Sequence, residues 1–107
     1  MLFSLLKGEI TQDDYLNYNN TTIIKMAFPR RVYGLIFDYH DRYFIVINKY
    51  ISYYKQKKTI LHELAHMELC HLDKKKLLEF KIEGLEDEAD EYVKLIKDSI
   101  KENLNGN

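Results

Sequence analysis

The sequence is poor in the features that mark an oxidising compartment or a membrane. Cys70 is its single cysteine, so no disulfide bond can form within the chain, and such a chain suits a reducing environment. No stretch approaches the roughly 20 apolar residues that a membrane span needs. The apolar run at the N-terminus is too short for the core of a signal peptide, and no small-residue cleavage site follows it. We therefore expect a cytoplasmic protein.

An excess of charge of one sign is also missing. The 107 residues carry a net charge of −1, which gives no reason to expect nucleic acid or a membrane as a direct partner. Pro29 is the only proline, and four glycines leave no linker-like segment, so we expect a single domain over residues 1–107. Lys55, Lys57 and Lys58 form a basic cluster. We interpret it as solvated surface, with a docking patch for an acidic partner as the alternative.

The order of the predicted elements indicates an α+β fold. Residues 8–20 predict a short helix with Thr11 as its N-cap. Runs of β-branched and aromatic residues predict three strands, at residues 21–28, 32–39 and 43–48. The short polar connection between the last two runs predicts an antiparallel hairpin. Apolar spacing then predicts a helix from residue 54 to about 71–73, a short helical piece at 77–82 and a final helix at 85–103. This order corresponds to a small antiparallel sheet packed on a long helix and a C-terminal helix.

The most informative motif is His62-Glu63-Leu64-Ala65-His66, an H-E-x-x-H pattern inside the long predicted helix. Residues four apart lie about 40° apart around a helix, so the imidazoles of His62 and His66 can converge on one ion. Zinc accepts such nitrogen ligands in a tetrahedral arrangement. Glu63 lies about 100° round the helix from His62, where it can reach a water on the open side of the metal and act as general base. Two surface histidines with a solvated glutamate are the alternative.

A catalytic zinc site needs a third protein ligand and an open position. The extended form of the motif does not supply it, because Leu69 and Leu72 occupy the positions where that form has glycine and histidine. His71 falls about 180° from His62 on the same helix, and we interpret it as a surface or helix C-terminal histidine. We interpret Cys70 as a small core residue.

An acidic run at residues 86–91 offers a carboxylate from a second helix instead. Glu86 and Asp90 lie four residues apart, so they share a helix face, and that face adjoins Ala89 and Val93. We expect Glu86 to bind the metal and Asp90 to hydrogen-bond a ligand histidine. Glu88 is the fallback ligand. The alternative for the whole run is a solvated first turn that the helix dipole favours.

Four segments, taken together and in this order, resemble the ImmA/IrrE family of metallopeptidases. They are Pro29 with Val32 and Gly34, Ile45-Val46-Ile47-Asn48, residues 59–66, and residues 86–90. The resemblance implies a zincin-like minimal core in which His62, His66 and Glu86 hold Zn2+ and Glu63 is the general base. It also implies a protein substrate of the repressor type, such as a helix-turn-helix protein, in mobile elements or stress responses.

Other expectations concern substrate binding and the competing functions. By similarity to other zinc peptidases, the strand ending at Asn48 is expected to be an edge that pairs with an extended peptide. Tyr54 and Tyr92 are the candidates for stabilising the oxyanion, although most tyrosines are packing residues. One alternative function is a zinc-bearing, non-catalytic binding module, an antirepressor that sequesters its partner. Another is a metal-free α+β interaction domain.

Overall fold

A computed structural model describes residues 2–73, 78–84 and 88–105. The first part of the chain contains α1 (Leu2–Lys7), α2 (Gln12–Tyr18), β1 (Thr21–Met26), β2 (Val32–Tyr39) and β3 (Arg42–Asn48). The second part contains α3 (Tyr53–Asp73), β4 (Leu78–Ile82) and α4 (Glu88–Asn105). The predicted α+β class is confirmed. Across the described ranges, no helix combines the length and the apolar character that crossing a membrane requires.

The strands form one mixed sheet in the order β1-β3-β2-β4. β2 and β3 pair as an antiparallel hairpin with Ile36 opposite Ile45, as the short polar connection predicts. β1 runs parallel to β3 with Ile23 opposite Ile45, so the sheet is not antiparallel throughout. The hairpin turns at His40 and Asp41, whose φ angles of 49° and 62° are those of a tight two-residue connection.

The position of β3 inside the sheet corrects one expectation. Since β1 lies on one side of it and β2 on the other, the strand ending at Asn48 is not an edge and cannot pair with a substrate peptide. The last four residues of β3 are all buried, which is typical of a strand covered on both faces. Among the described strands, β1 and β4 form the two edges.

Residues 78–82 form a strand rather than the predicted helical piece. β4 pairs antiparallel with β2, with Phe80 opposite Leu35 and Leu78 opposite Phe37. The apolar residues at 78, 80 and 82 alternate with Glu79 and Lys81, which is the period of a strand. Hydrogen bonding to the open side of β2 decides the structure of so short a segment, because sheet pairing overrides weak local propensity.

The long helix α3 packs on the sheet at close range. A Cβ atom at Gly34 of β2 would lie 2.6 Å from the carbonyl oxygen of Val46 and 3.0 Å from Cγ2 of Thr59 on α3, so the glycine permits this approach. Two turns further along α3, Met67 lies over β1, where the Thr21 hydroxyl donates to its sulfur at 3.3 Å. α3 therefore crosses the sheet from β2 to β1, with residues 62–66 between these two contacts.

Helix α1, which the sequence pattern did not predict, is attached to both long helices through Glu68. The backbone N–H of Leu2 donates to Glu68 Oε1 at 2.9 Å, and the Tyr92 hydroxyl donates to Oε2 at 2.7 Å. Burial by itself would raise the pKa of the Glu68 carboxyl, but these hydrogen bonds hold the pKa below its usual value. Burial and the same bond raise the pKa of Tyr92 to about 12. By contrast, helix α2 begins as predicted, with the Asp14 N–H donating to Thr11 Oγ1.

Asn48 fixes the loop between β1 and β2. It is fully buried, and its side-chain amide donates to the carbonyl oxygens of Phe28, Pro29 and Val32 at 3.2, 3.0 and 2.8 Å. Its Oδ1 accepts the N–H of Tyr50 at 2.9 Å. One buried side chain thus ties backbone groups of the loop before β2 to the chain after β3.

We expect Asn48→Ala to lower the free energy of unfolding by about 2–4 kcal/mol, because a buried side chain and several hydrogen bonds to partly buried backbone groups are lost together. Asn48→Asp should be at least as damaging, since it places an oxygen against three carbonyl oxygens. Urea unfolding measures both effects, with Asn17→Ala at an exposed position of α2 as the control. A loss no larger than that of the control would contradict this role.

Removal of the Tyr92 hydroxyl tests the hydrogen bond that joins α4 to Glu68 of α3. We expect Tyr92→Phe to lower the free energy of unfolding by about 1–2 kcal/mol, because a short hydrogen bond to a carboxylate is lost. Tyr53→Phe, at a side chain that is 71% exposed, is the matched control and should be neutral. Equal stability of the two variants in urea would show that the bond to Glu68 contributes nothing.

Candidate metal centre

Two imidazole rings of α3 lie side by side, one helical turn apart. The ring centroids of His62 and His66 are 4.7 Å apart, and the ring planes meet at 71°. His62 is 2% exposed, and His66 is half-buried. Nitrogen donors arranged in this way can share one ion at the roughly 2.0–2.1 Å that zinc prefers. The spacing within the motif thus brings the two predicted histidine ligands together.

Asp90 orients the ring of His62. Asp90 Oδ1 of α4 lies 2.7 Å from His62 Nδ1, a distance that places the ring proton on Nδ1 and leaves the lone pair on Nε2. A carboxylate on the far nitrogen is the arrangement that orients histidine ligands in metal sites. The structure therefore contains the contact expected between Asp90 and a motif histidine.

Glu63 lies at the side of the ring where the lone pair points. Its Oε1 is 3.3 Å from His62 Nε2, and the Glu63 side chain is fully buried. Burial of a carboxylate is costly even when it is paired, so a glutamate here is poorly explained by stability. Its position beside the donor nitrogen instead suits a general base, which would take a proton from a water bound to a metal at that nitrogen.

Lys81 is a member of this cluster that the sequence analysis missed. Its ammonium group donates to Asp90 Oδ2 at 2.9 Å, so the two oxygens of Asp90 contact His62 and Lys81 separately. Both side chains of the ion pair are partly buried, 14% exposed for Lys81 and 25% for Asp90. The alternating pattern of residues 78–82 is the one sequence signal that points to this lysine, because only a strand next to β2 brings it here.

Small residues allow α3 and α4 to lie close enough for these contacts. Ala65 on α3 and Ala89 on α4 are both fully buried in the same apolar core, together with Leu64 of α3 and Ile96 of α4. Ala89 directly precedes Asp90, so its packing places the carboxylate against α3. The inner face that the sequence predicts for this part of the helix is therefore present.

The third ligand predicted from the acidic run lies outside the described residues. Glu86 falls in the gap before α4, and the side chain of Glu88, the first residue of α4, is likewise outside the description. The same holds for the side chains of Cys70 and His71. Within the described part of the chain, no group of three or more histidine, cysteine, aspartate or glutamate side chains is arranged to hold a metal ion. The two histidines and their carboxylate support nevertheless fit the donor set that zinc takes.

A cleft of about 720 Å3 opens beside His62, and we call it the His62 cleft. Its walls include Lys55, Lys58 and His62 of α3 and Asp90, Lys94 and Lys97 of α4. Tyr54 also lines it, whereas the Tyr92 hydroxyl, the other candidate for the oxyanion, donates to Glu68. The volume lies within the roughly 300–1,000 Å3 of typical ligand pockets.

Comparison with known proteins places this chain in a family. No curated protein and no solved structure matches the sequence. A family model described as the IrrE N-terminal-like domain, a peptidase family, matches residues 18–94. The matched segment is well over half of the chain and includes His62, Glu63, His66, Lys81 and Asp90. The chain therefore belongs to the IrrE N-terminal-like domain family of metallopeptidases, as its resemblance to ImmA/IrrE proteins implies.

Proposed function

We propose that this protein is a zinc-dependent endopeptidase that cleaves a repressor-type regulatory protein. One observation carries the proposal: His62 is oriented by Asp90 at 2.7 Å while its other nitrogen faces the buried Glu63 at 3.3 Å. This arrangement combines an oriented metal donor with an adjacent base. Membership of a peptidase family supplies the reaction class.

The donors proposed for the metal are His62, His66 and, from the acidic run, Glu86. When bound, zinc polarises a carbonyl oxygen and lowers the pKa of a coordinated water to about 7. Asp90 keeps the proton on His62 Nδ1 and so keeps Nε2 available as a donor. Lys81 offsets the charge of Asp90 and holds its second oxygen.

Glu63 carries the proton. It takes a proton from the attacking water as the water adds to the peptide carbonyl carbon. It then gives that proton to the amide nitrogen of the leaving group as the carbon–nitrogen bond breaks. Its burial keeps the carboxylate in one place, which favours transfer over a short, fixed distance.

A protein substrate with a helix-turn-helix repressor domain is the proposed partner, on the basis of the family resemblance. The competing proposal is a zinc-bearing module that binds such a repressor without cutting it. The full burial of Glu63 favours that alternative, because water and peptide must reach a carboxylate with no exposed surface. The two proposals differ in whether Glu63 is needed for activity.

Glu63→Gln separates them. We expect about one zinc per chain in the wild type and in this variant, but a loss of hydrolysis of roughly a hundred- to ten-thousand-fold. His62→Ala should lose both metal and hydrolysis, and Glu102→Gln, at an exposed position of α4, should change neither. Elemental analysis and cleavage of a helix-turn-helix repressor encoded next to the gene are the measurements. A wild-type protein without zinc would refute the peptidase proposal, and full activity of Glu63→Gln would favour the binding module.

The contacts of Asp90 predict its effect on metal affinity. We expect Asp90→Asn to weaken zinc binding roughly 10- to 100-fold, because His62 loses the group that orients it. Lys81→Met should have a smaller effect in the same direction, since it acts on His62 only through Asp90. Competition with a chromogenic zinc chelator measures both without any substrate. Asp98→Asn, at an exposed residue of the same cleft, is the matched control, and an equal effect there would contradict the assignment.

A further inference from the structure

Two pairs of lysines flank the His62 cleft in matching positions on its two helices. On α3, Lys58 and Lys55 lie four and seven residues before His62, and on α4, Lys94 and Lys97 lie four and seven residues after Asp90. Residues at these spacings share a helix face. All four lysines line the same cleft as His62, Lys81 and Asp90. Glu63 and His66 are not among its lining residues, so the cleft lies on the side of His62 where Nδ1 contacts Asp90, away from the donor nitrogen.

All four ammonium groups are available to a ligand. Lys55, Lys58, Lys94 and Lys97 are exposed, and none of them forms an ion pair with another described residue. Lys81, the fifth lysine of the cleft, is different because it is bound to Asp90. Lysines that form no direct ion pair along a groove attract a ligand of opposite sign.

Tyrosine rings hold part of this row in place. The ammonium nitrogen of Lys55 lies 5.5 Å from the centroid of the Tyr33 ring, and that of Lys58 lies 5.5 Å from the Tyr54 ring. Both rings also line the cleft. Cation–π contacts of this kind position a lysine without consuming its hydrogen-bond donors, so the wall offers apolar surface and charge together.

The charge of the groove is a local property. The whole chain has a net charge of −1, so the lysine row does not reflect a generally basic protein. Glu91 and Asp98 line the same cleft. They would repel a continuous phosphate backbone, whereas a peptide can place separate carboxylates against the lysines and other groups between them. The observations therefore favour an acidic peptide over a nucleic acid.

We propose that the His62 cleft binds an acidic segment of the protein substrate at a distance from the bond to be cut, an inference that rests on the proposed peptidase function. Four and seven residues of helix correspond to about 6 and 10 Å at 1.5 Å per residue. An extended peptide advances about 3.3 Å per residue. The two lysines of each helix are thus about one to two peptide residues apart, so neighbouring carboxylates of an acidic segment can reach both.

The test uses the full chain carrying Glu63→Gln, so that no cleavage occurs, and fluorescence anisotropy of three labelled probes. These are an acidic decapeptide with paired aspartates and glutamates, its asparagine and glutamine isostere, and a single-stranded oligonucleotide. We expect the acidic peptide to bind at least tenfold more tightly than the isostere, and more tightly than the oligonucleotide. Its affinity should fall as salt is raised.

Paired lysine variants locate the binding. Lys55→Gln with Lys58→Gln, and Lys94→Gln with Lys97→Gln, should each weaken the acidic peptide at least threefold. Lys25→Gln with Lys49→Gln, an exposed pair that does not line the cleft, should leave its affinity unchanged. Thermal melting verifies that each variant folds. Equal binding of acidic and neutral peptides, preference for the oligonucleotide, or an equal loss in the control pair would overturn the proposal.

A failure of the proposed function gives a different result. Binding of the acidic peptide does not require zinc, so the comparison is repeated after chelation. Selective binding in a protein that takes up no zinc would support the groove and refute the peptidase. A zinc-bearing enzyme that cleaves its substrate but binds acidic and neutral peptides equally would refute the groove and leave the peptidase.

Discussion

The candidate centre depends on one carboxylate that joins three elements of the fold. Asp90 lies on α4. One of its carboxylate oxygens contacts His62 of α3, and the other contacts Lys81 of β4. A partly buried carboxylate is tolerated only when its charge is offset, and the lysine and the imidazole N–H provide that offset. Both contacts require a particular arrangement of the chain, with β4 paired to β2 and α4 packed on α3. The orientation of the histidine is therefore a consequence of the tertiary structure rather than of the motif alone.

Helix α3 contributes residues to both the hydrophobic core and the candidate site. Substitutions in one of them can therefore affect the other. On its sheet side, Thr59 lies against Gly34 and Met67 lies over β1. Between these contacts, the motif residues point toward α4 and into the sheet-side interior, and Glu63 is fully buried. Any change that moves α3 relative to the sheet also moves the donor nitrogen of His62. Because close packing transmits such displacements, the packing of the core also fixes the geometry of the candidate site.

Local patterns predicted much of this fold, and non-local pairing accounts for what they missed. The H-E-x-x-H helix and the β2–β3 hairpin follow from residue spacing and turn chemistry within short segments. Pairing between segments far apart in the sequence produces the strand at residues 78–82 and the inner position of β3. The periodicity of a single segment does not reveal such pairing. The buried run Ile45-Val46-Ile47 did carry a signal for an interior strand. Helix geometry was enough to predict the contact of Asp90 with a histidine. The position of Lys81 could be predicted only from the correct pairing of the strands.

Helical periodicity also relates the candidate site to the lysines of the His62 cleft. The spacing of four residues that brings His62 and His66 together is the spacing that aligns Lys58 with His62 and Lys94 with Asp90. The candidate donors of α3 and the lysines of the His62 cleft are therefore carried by the same two helices. Binding energy from groups remote from the reacting bond raises the rate only when it holds the substrate in the geometry of the transition state. Because both sets of residues lie on two packed helices, close packing limits how far one set can shift relative to the other.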